Sequence, residues 1–195
     1  MVAVLSPGAV VLVARDPDTA EAGPARPELV ELLGAERSAE LERALVARAQ
    51  RWASDLAPGR VHTTREVGDG VDQAWASASD GPLFVAWPQL CRWRPEHAGA
   101  ALDDIGEGCD VSVGPVFDGG FYLVALRRPA PSLLRLPDEA WGNPDAMGAM
   151  LAAVNEGGLE AGLLRAERGL HRPADVRAAL ADPLLDPELR QILRG

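Results

Sequence analysis

One short segment carries the residue types best suited to chemistry. Residues 114–126 have the sequence Gly-Pro-Val-Phe-Asp-Gly-Gly-Phe-Tyr-Leu-Val-Ala-Leu, in which the carboxylate of Asp118 is followed directly by Gly119 and Gly120. Glycines lack a Cβ, so the backbone beside this carboxylate can turn sharply and approach a ligand closely. The pattern indicates a ligand-binding turn with an acidic group. It is also typical of an Asp-Gly turn in an ordinary β-hairpin, and the residues alone leave both interpretations open.

The segments around this turn predict an α/β domain. Apolar, β-branched runs at 9–14, 82–87, 109–114 and 121–126 are typical of buried strands. Helical spacing predicts a helix over 38–56, and further helices are expected near Pro95, after Trp141 and towards the C-terminus. This alternation predicts one domain over residues 1–195, a three-layer α/β/α sandwich around a mostly parallel sheet. The strand ends of such a sheet form an open crevice where ligands bind.

Composition excludes several classes of function. The chain of 195 residues has a net charge of −10 and no basic cluster, so we expect no nucleic-acid partner. All 19 basic residues are arginines, and the absence of lysine excludes a P-loop phosphate site and Schiff-base chemistry. No apolar run approaches the ~20 residues of a membrane helix, and the N-terminus has no signal-peptide pattern. We therefore expect a cytoplasmic protein with no membrane partner.

The segment 114–126 resembles the signature Gly-Pro-x-x-Asp-Gly-Gly-Tyr-Tyr-Leu-x-Gly-Leu of a bacterial family of GT-A-like proteins. Its members are largely uncharacterised, are often classed as glycosyltransferases, and are similar in fold to the guanylyltransferases of molybdopterin and deazaflavin cofactor synthesis. A weaker likeness extends over nearly the whole chain. The resemblance implies a Rossmann-like GT-A fold and a nucleotide or nucleotide-sugar partner. It also implies that Asp118 is the catalytic residue and that Gly119, Gly120 and Tyr122 line the acceptor or sugar side of a pocket.

The chain departs from this family in its first loop. The family has Gly-x-x-Lys-Thr-Arg-Leu, with two cations aimed at nucleotide phosphates, and residues 23–29 here are Gly-Pro-Ala-Arg-Pro-Glu-Leu. The resemblance assigns Gly23 and Arg26 to the ligand, and the Arg26 guanidinium can fork onto a phosphate. A solvated loop arginine is the alternative. Glu28 replaces the second cation, and two like charges about 4 Å apart repel by roughly 4 kcal/mol at an effective dielectric of 20. The exchange predicts weaker phosphate binding.

Two further departures fall on the family's metal positions. The family's Gly-Ser/Thr-Asp-x-Pro-x-Leu uses its Asp to hold a divalent metal, and Ala86 stands at that position. Its Asp-x-Asp-Thr-Pro-x-Asp-Leu corresponds to 169–176, where both leading aspartates are absent and His171 takes the second place. Trp87 could stack on a base or sugar, or pack in the core. His171 could bind a transition metal or be an ordinary surface residue, and Asp16 and Asp18 could supply replacement ligands.

These three losses together predict a GT-A-like homologue with weak or lost metal-dependent transfer, because metals supply much of the charge neutralisation in such reactions. Its remaining role would be to bind a nucleotide, a sugar phosphate or a protein partner, with no cofactor. Two alternatives stay open: an active nucleotidyl or glycosyl transferase with a rearranged Mg or Mn site, and a purely structural interaction protein. We further expect Asp118, Arg26 and Ala86 to face one cavity. The sequence does not indicate an oligomeric state.

Overall fold

One mixed sheet forms the centre of the computed structural model, which describes residues 6–14, 26–65, 67–77, 81–130, 133 and 145–194. Within those ranges the sheet has six strands in the order β2-β1-β3-β5-β4-β6. Only β5 is antiparallel to its neighbours, β3 and β4, so the other five strands end at the same edge. The strands are β1 Ala9–Val13, β2 Val61–Thr64, β3 Leu83–Ala86, β4 Val111–Pro115, β5 Phe121–Leu126 and β6 Ala161–Leu163.

Helices cover both faces of this sheet, which confirms the predicted three-layer sandwich with a mostly parallel sheet. Seven helices lie in the described part of the chain: α1 Pro27–Leu33, α2 Ala35–Leu56, α3 Val67–Ser77, α4 Pro95–Glu107, α5 Ala146–Glu156, α6 Pro173–Ala181 and α7 Pro187–Arg194. Helices α3 and α5 pack on the face that contains Val11 and Val85. Helices α2 and α4 pack on the other face, with Val10 and Phe84. Because alternate strand residues are buried on opposite faces, the central strands β1, β3 and β5 are apolar throughout.

A separate helical layer lies beside the sheet. Helices α1, α2, α6 and α7 bury leucines and other apolar residues against one another, and Leu170, which follows β6, packs among them. The sequence did not predict α1. Pro27 occupies its first turn, where a missing N–H costs nothing, Leu29 and Leu33 are buried one turn apart, and Gly34 ends the helix with a φ of 84°. Over the described ranges, no helix combines the length and the apolar character needed to cross a membrane.

Candidate functional site

Three segments meet at the edge where the parallel strands end, and we call them together the edge site: 87–94 after β3, 116–120 after β4, and 164–172 after β6. Their backbones are joined directly. The N–H of Leu170 donates to the carbonyl of Gln89 at 2.9 Å, and the N–H of Phe117 donates to that of Glu167 at 3.2 Å. Ligands of open α/β sheets bind at this edge, so the edge site is the candidate functional site.

A turn closed by backbone hydrogen bonds joins β4 to β5 and contains both Gly119 and Gly120. The N–H of Val116 donates to the carbonyl of Gly120 at 2.9 Å, and the N–H of Gly119 donates back to that of Val116 at 3.0 Å. Gly119 has a φ of 97°, a region that residues with a Cβ rarely adopt. A Cβ on Gly120 would lie 3.4 Å from a methyl group of Val116. The segment is therefore an antiparallel hairpin that also contributes to the edge site, and a ligand contact of the two glycines stays a prediction.

The structure brings together two residues that the sequence identified separately, Asp118 and His171. Oδ2 of Asp118 contacts Nδ1 of His171, and the two side chains are 18% and 25% exposed. Burial alone would raise the pKa of the Asp118 carboxyl, but the hydrogen bond and charge of His171, with smaller contributions from the Gly120 N–H and Arg172, hold that pKa below its ordinary value. Asp118 is thus an anion at neutral pH, and the imidazole donates its Nδ1 proton to it.

The second ring nitrogen of His171 is left available for chemistry. Within the described ranges, Nε2 has no hydrogen-bond partner. The ring lies over Gly169, where a Cβ would come within 3.3 Å of Nε2. Asp118 therefore orients the imidazole through one nitrogen and leaves the other able to accept a proton. This is the arrangement that a general base requires.

Asp175 holds the backbone next to this pair. Its carboxylate accepts the N–H of His171 at 3.2 Å and that of Arg172 at 3.0 Å, and it forms an ion pair with Arg168 at 2.9 Å. It is the third residue of α6, where a carboxylate satisfies N–H groups at the start of the helix. The same contacts fix the position of His171.

Arg26 is paired within the protein. Its guanidinium is 11% exposed and pairs with Glu42 of α2 at 3.1 Å. Burial lowers the pKa of Arg26, and Glu42 partly opposes that shift. Arg26 is therefore not a solvated loop residue, a phosphate would compete with Glu42 for its guanidinium, and its contact with a ligand stays a prediction. Gly23, Asp16 and Asp18 lie outside the described residues.

Tyr122 and Trp87 are core residues in this structure, and a contact of either with a ligand stays a prediction. Strand alternation turns Tyr122 towards α2 and α4, where it is 1% exposed and its hydroxyl donates to the carbonyl of Arg165 at 3.4 Å. Burial raises its pKa to about 12. Trp87 is 9% exposed and packs on the opposite face, with its ring centroid 5.9 Å from that of Phe121. The core interpretation of Trp87 therefore describes it.

The family's metal position offers no ligand here. Ala86 is fully buried in the same core cluster as Tyr122. In the described part of the chain, no three His, Cys, Asp or Glu side chains are grouped so that they could hold a metal ion. A cleft of about 210 Å³ lies within the edge site, and neither Asp118, Arg26 nor Ala86 lines it. A cavity shared by these three residues stays a prediction.

Sequence reasoning missed the charged groups that surround this cleft. Arg94, Glu167 and Arg168 belong to it, and none of them falls in a segment whose pattern suggested chemistry. Arginines in loops have no distinctive spacing, and these residues meet only because β3 and β6 end at the same edge of the sheet. Only knowledge of the strand order could have brought them together.

The comparisons with known proteins bear on the fold. No protein-family profile and no curated protein matches the chain. A solved structure from Desulfovibrio desulfuricans G20, provisionally named a nucleotide-diphospho-sugar transferase, is similar over 97% of this chain and 95% of its own, with a TM-score of 0.71 and 17% identity. The structure of Rv0371c from Mycobacterium tuberculosis H37Rv has a TM-score of 0.47 and 16% identity over 91% of this chain and 99% of its own. The first likeness confirms the predicted Rossmann-like α/β fold.

Proposed function

We propose that this chain binds a nucleotide or a sugar phosphate at the edge site without a divalent metal, as a transferase-like protein in which metal-dependent transfer is weak or lost. The observation that carries the proposal is the contact between Asp118 and His171. The nucleotide part rests on the fold shared with the D. desulfuricans protein and on the position of the pair at the edge where such sheets bind ligands.

The metal-independent part of the proposal rests on the donors available at the edge site. Mg²⁺ requires near-octahedral oxygen coordination and usually binds one or two carboxylates together with phosphate oxygens. One oxygen of Asp118 is engaged by His171, and the other accepts the N–H of Gly120 at 3.4 Å. A cation here would have to displace the imidazole that donates to this carboxylate, and Ala86 offers no oxygen. These residues do not fit an ordinary Mg²⁺ or Mn²⁺ site.

A binding experiment tests this function directly. Calorimetry or thermal unfolding with UDP, GDP and their sugar conjugates is run with Mg²⁺ and again with EDTA. At a hundredfold excess over Kd, a bound ligand stabilises the native state by about 2.7 kcal/mol, and we expect the same value under both conditions. His171→Ala should weaken the best ligand, whereas Asp103→Asn, an exposed change on α4, should not. A nucleotide that stabilises the protein only with Mg²⁺ would refute the proposal and favour the rearranged metal site.

The available Nε2 favours a second candidate, a metal-free glycosyl transfer. His171 would take the proton of an acceptor hydroxyl while that oxygen bonds to the anomeric carbon of a nucleotide-activated sugar. The bond from that carbon to the phosphate oxygen breaks, and its electron pair leaves with the nucleoside diphosphate. Asp118 would stabilise the imidazolium that forms, and general-base catalysis of this kind contributes about 10²- to 10⁴-fold.

The two candidates differ in turnover. Release of nucleoside diphosphate from a sugar conjugate in EDTA, falling at least about a hundredfold in His171→Gln, would support the catalytic candidate. Nucleotide binding without any release across a panel of acceptors would leave the binding function alone.

A further inference from the structure

A cleft of about 210 Å³ lies between the segment 90–94, the segment 167–170 and helix α6. Pockets for drug-sized ligands are about 300–1,000 Å³, so this cleft suits a smaller molecule than a nucleotide sugar. It lies next to Asp118 and His171 without containing them, because Asp175 lines it and holds the backbone of His171. Its charged lining residues comprise three arginines and three acids: Arg92, Arg94, Arg168, Glu167, Asp175 and Asp182.

The three acids of the cleft already have partners. Glu167 lies 3.5 Å from Nε2 of His97 and 4.0 Å from Nε of Arg165. Burial lowers the pKa of His97, so Arg165 is the cationic neighbour of Glu167 at neutral pH. Asp175 is paired with Arg168 at 2.9 Å and accepts backbone N–H groups of α6. Asp182 accepts a backbone N–H at 2.9 Å in the turn after α6. Of the three arginines, Arg168 is therefore neutralised by the protein itself.

In the described part of the chain, the other two arginines form no ion pair. Arg92 donates to the carbonyl of Leu184 at 3.1 Å, which is an uncharged acceptor. Within the described ranges Arg94 has no ion pair, and its Nε is buried without a hydrogen-bond partner. A partly buried guanidinium without a counter-charge is unfavourable, since a buried charge is normally paired and hydrogen-bonded. Two such groups at one cleft match the charge of a phosphate dianion, which guanidinium groups bind well through paired N–H donors.

We propose that this cleft is a binding site for a small phosphate group, either inorganic phosphate or a short phosphate monoester, held by Arg92 and Arg94. The cleft lies within the edge site, since most of its lining residues belong to the segments 87–94 and 164–172, but it does not include the Asp118–His171 pair that carries the nucleotide proposal. Its ligand would sit beside His171, where the phosphate of a small second substrate could be held.

The first test is calorimetry on the full chain with inorganic phosphate, glycerol 3-phosphate and, as a carboxylate probe, malonate. Loss of a hydrogen bond to a charged group costs about 1.5–3 kcal/mol, so Arg92→Gln and Arg94→Gln should each weaken phosphate binding about 10- to 150-fold. Arg177→Gln, an exposed change on α6, is the matched control and should bind as the parent does. Circular dichroism identifies any variant that fails to fold, and a folded variant with unchanged affinity overturns the proposal. Malonate binding as tightly as phosphate overturns the assignment of the ligand class.

A second test locates the ligand without any substitution. Cys91 lines the cleft, whereas Cys109 does not, and both are free thiols. Burial raises the pKa of the Cys91 thiol to about 11, so alkylation by iodoacetamide is followed at alkaline pH by mass spectrometry. Saturating phosphate should slow the modification of Cys91 severalfold and leave Cys109 unchanged. Equal rates with and without phosphate at Cys91 would contradict the site. Asp118→Asn should not alter this protection, so a failure of the nucleotide proposal is distinguishable from a failure of this one.

Discussion

Restoring the family's metal carboxylate by Ala86→Asp should destabilise the protein and should not create a metal site. Ala86 is fully buried, and its neighbours in the sheet are Leu12 on β1 and Leu123 on β5. Burial of an ion costs several kcal/mol even after relaxation, and extra atoms in a packed core add about 1–3 kcal/mol. We expect a loss of at least ~3 kcal/mol at pH 7. At about 2–4 °C per kcal/mol for a chain of this length, Tm should fall by at least ~6 °C.

The pH dependence of this variant has a definite sign. Burial raises the folded-state pKa of the new carboxyl above its unfolded value of about 3.9. The destabilisation is therefore complete above the folded pKa and shrinks as the pH falls towards about 4, where both states are protonated. Thermal unfolding from pH 4 to 8 measures the difference between variant and parent.

The control for this experiment is Ala152→Asp, which adds the same carboxylate at an exposed position of α5 and should change Tm little. Mg²⁺ should rescue neither variant, because Asp118 remains engaged by His171. If Ala86→Asp is as stable as the control at pH 7, or if Mg²⁺ restores its Tm, the argument that this strand end is a dry core position without metal ligands is wrong.

Three further changes test other parts of the structure. The lowered pKa of Asp118 stabilises the folded protein at pH values above the unfolded-state pKa, and this stabilisation is lost as the pH falls through the folded-state pKa. Asp118→Asn should therefore remove part of the parent's acid sensitivity, measured by urea unfolding between pH 2 and 6. An unchanged pH profile would contradict this expectation. Gly119→Ala should lower the free energy of unfolding by about 1–2 kcal/mol, because its φ of 97° suits only glycine. Gly99→Ala, in open space on α4, should raise the free energy of unfolding by about 0.5–1 kcal/mol. Equal effects of the two changes in chemical denaturation would refute this expectation. Glu42→Gln leaves a buried arginine without its counter-charge and should cost up to about 3–5 kcal/mol, while the exposed Glu40→Gln stays within about 0.5 kcal/mol by the same assay.

The central strands β1, β3 and β5 were predictable because each is buried on both faces and is therefore a continuous apolar run. Helix α1 was not, since Pro27 followed a loop rich in Pro and Gly, and only the packing of Leu29 and Leu33 against other helices makes the segment helical. Propensity describes a segment alone, whereas this helix depends on tertiary contacts. The same limit applies to Arg26, whose partner Glu42 lies on another helix.

At the edge site, residue types were predictable and pairings were not. Asp118 and His171 are 53 positions apart. In the sequence, Asp118 is distinguished only by the two glycines that follow it, and His171 only by comparison with the family motif. Their contact follows from the order of the strands, with β4 between β5 and β6. Tyr122 shows the converse. Its place in a signature suggested a ligand, but the alternation of the strand buries it.

The position of β5 has a consequence for how the protein is made. This strand lies between β3 and β4, and β4 lies between β5 and β6. A domain generally folds as a unit, so the contact between Asp118 and His171 forms only once the segment 164–172 has been synthesised. A chain truncated before that segment would therefore hold the carboxylate of Asp118 without the imidazole that donates to it.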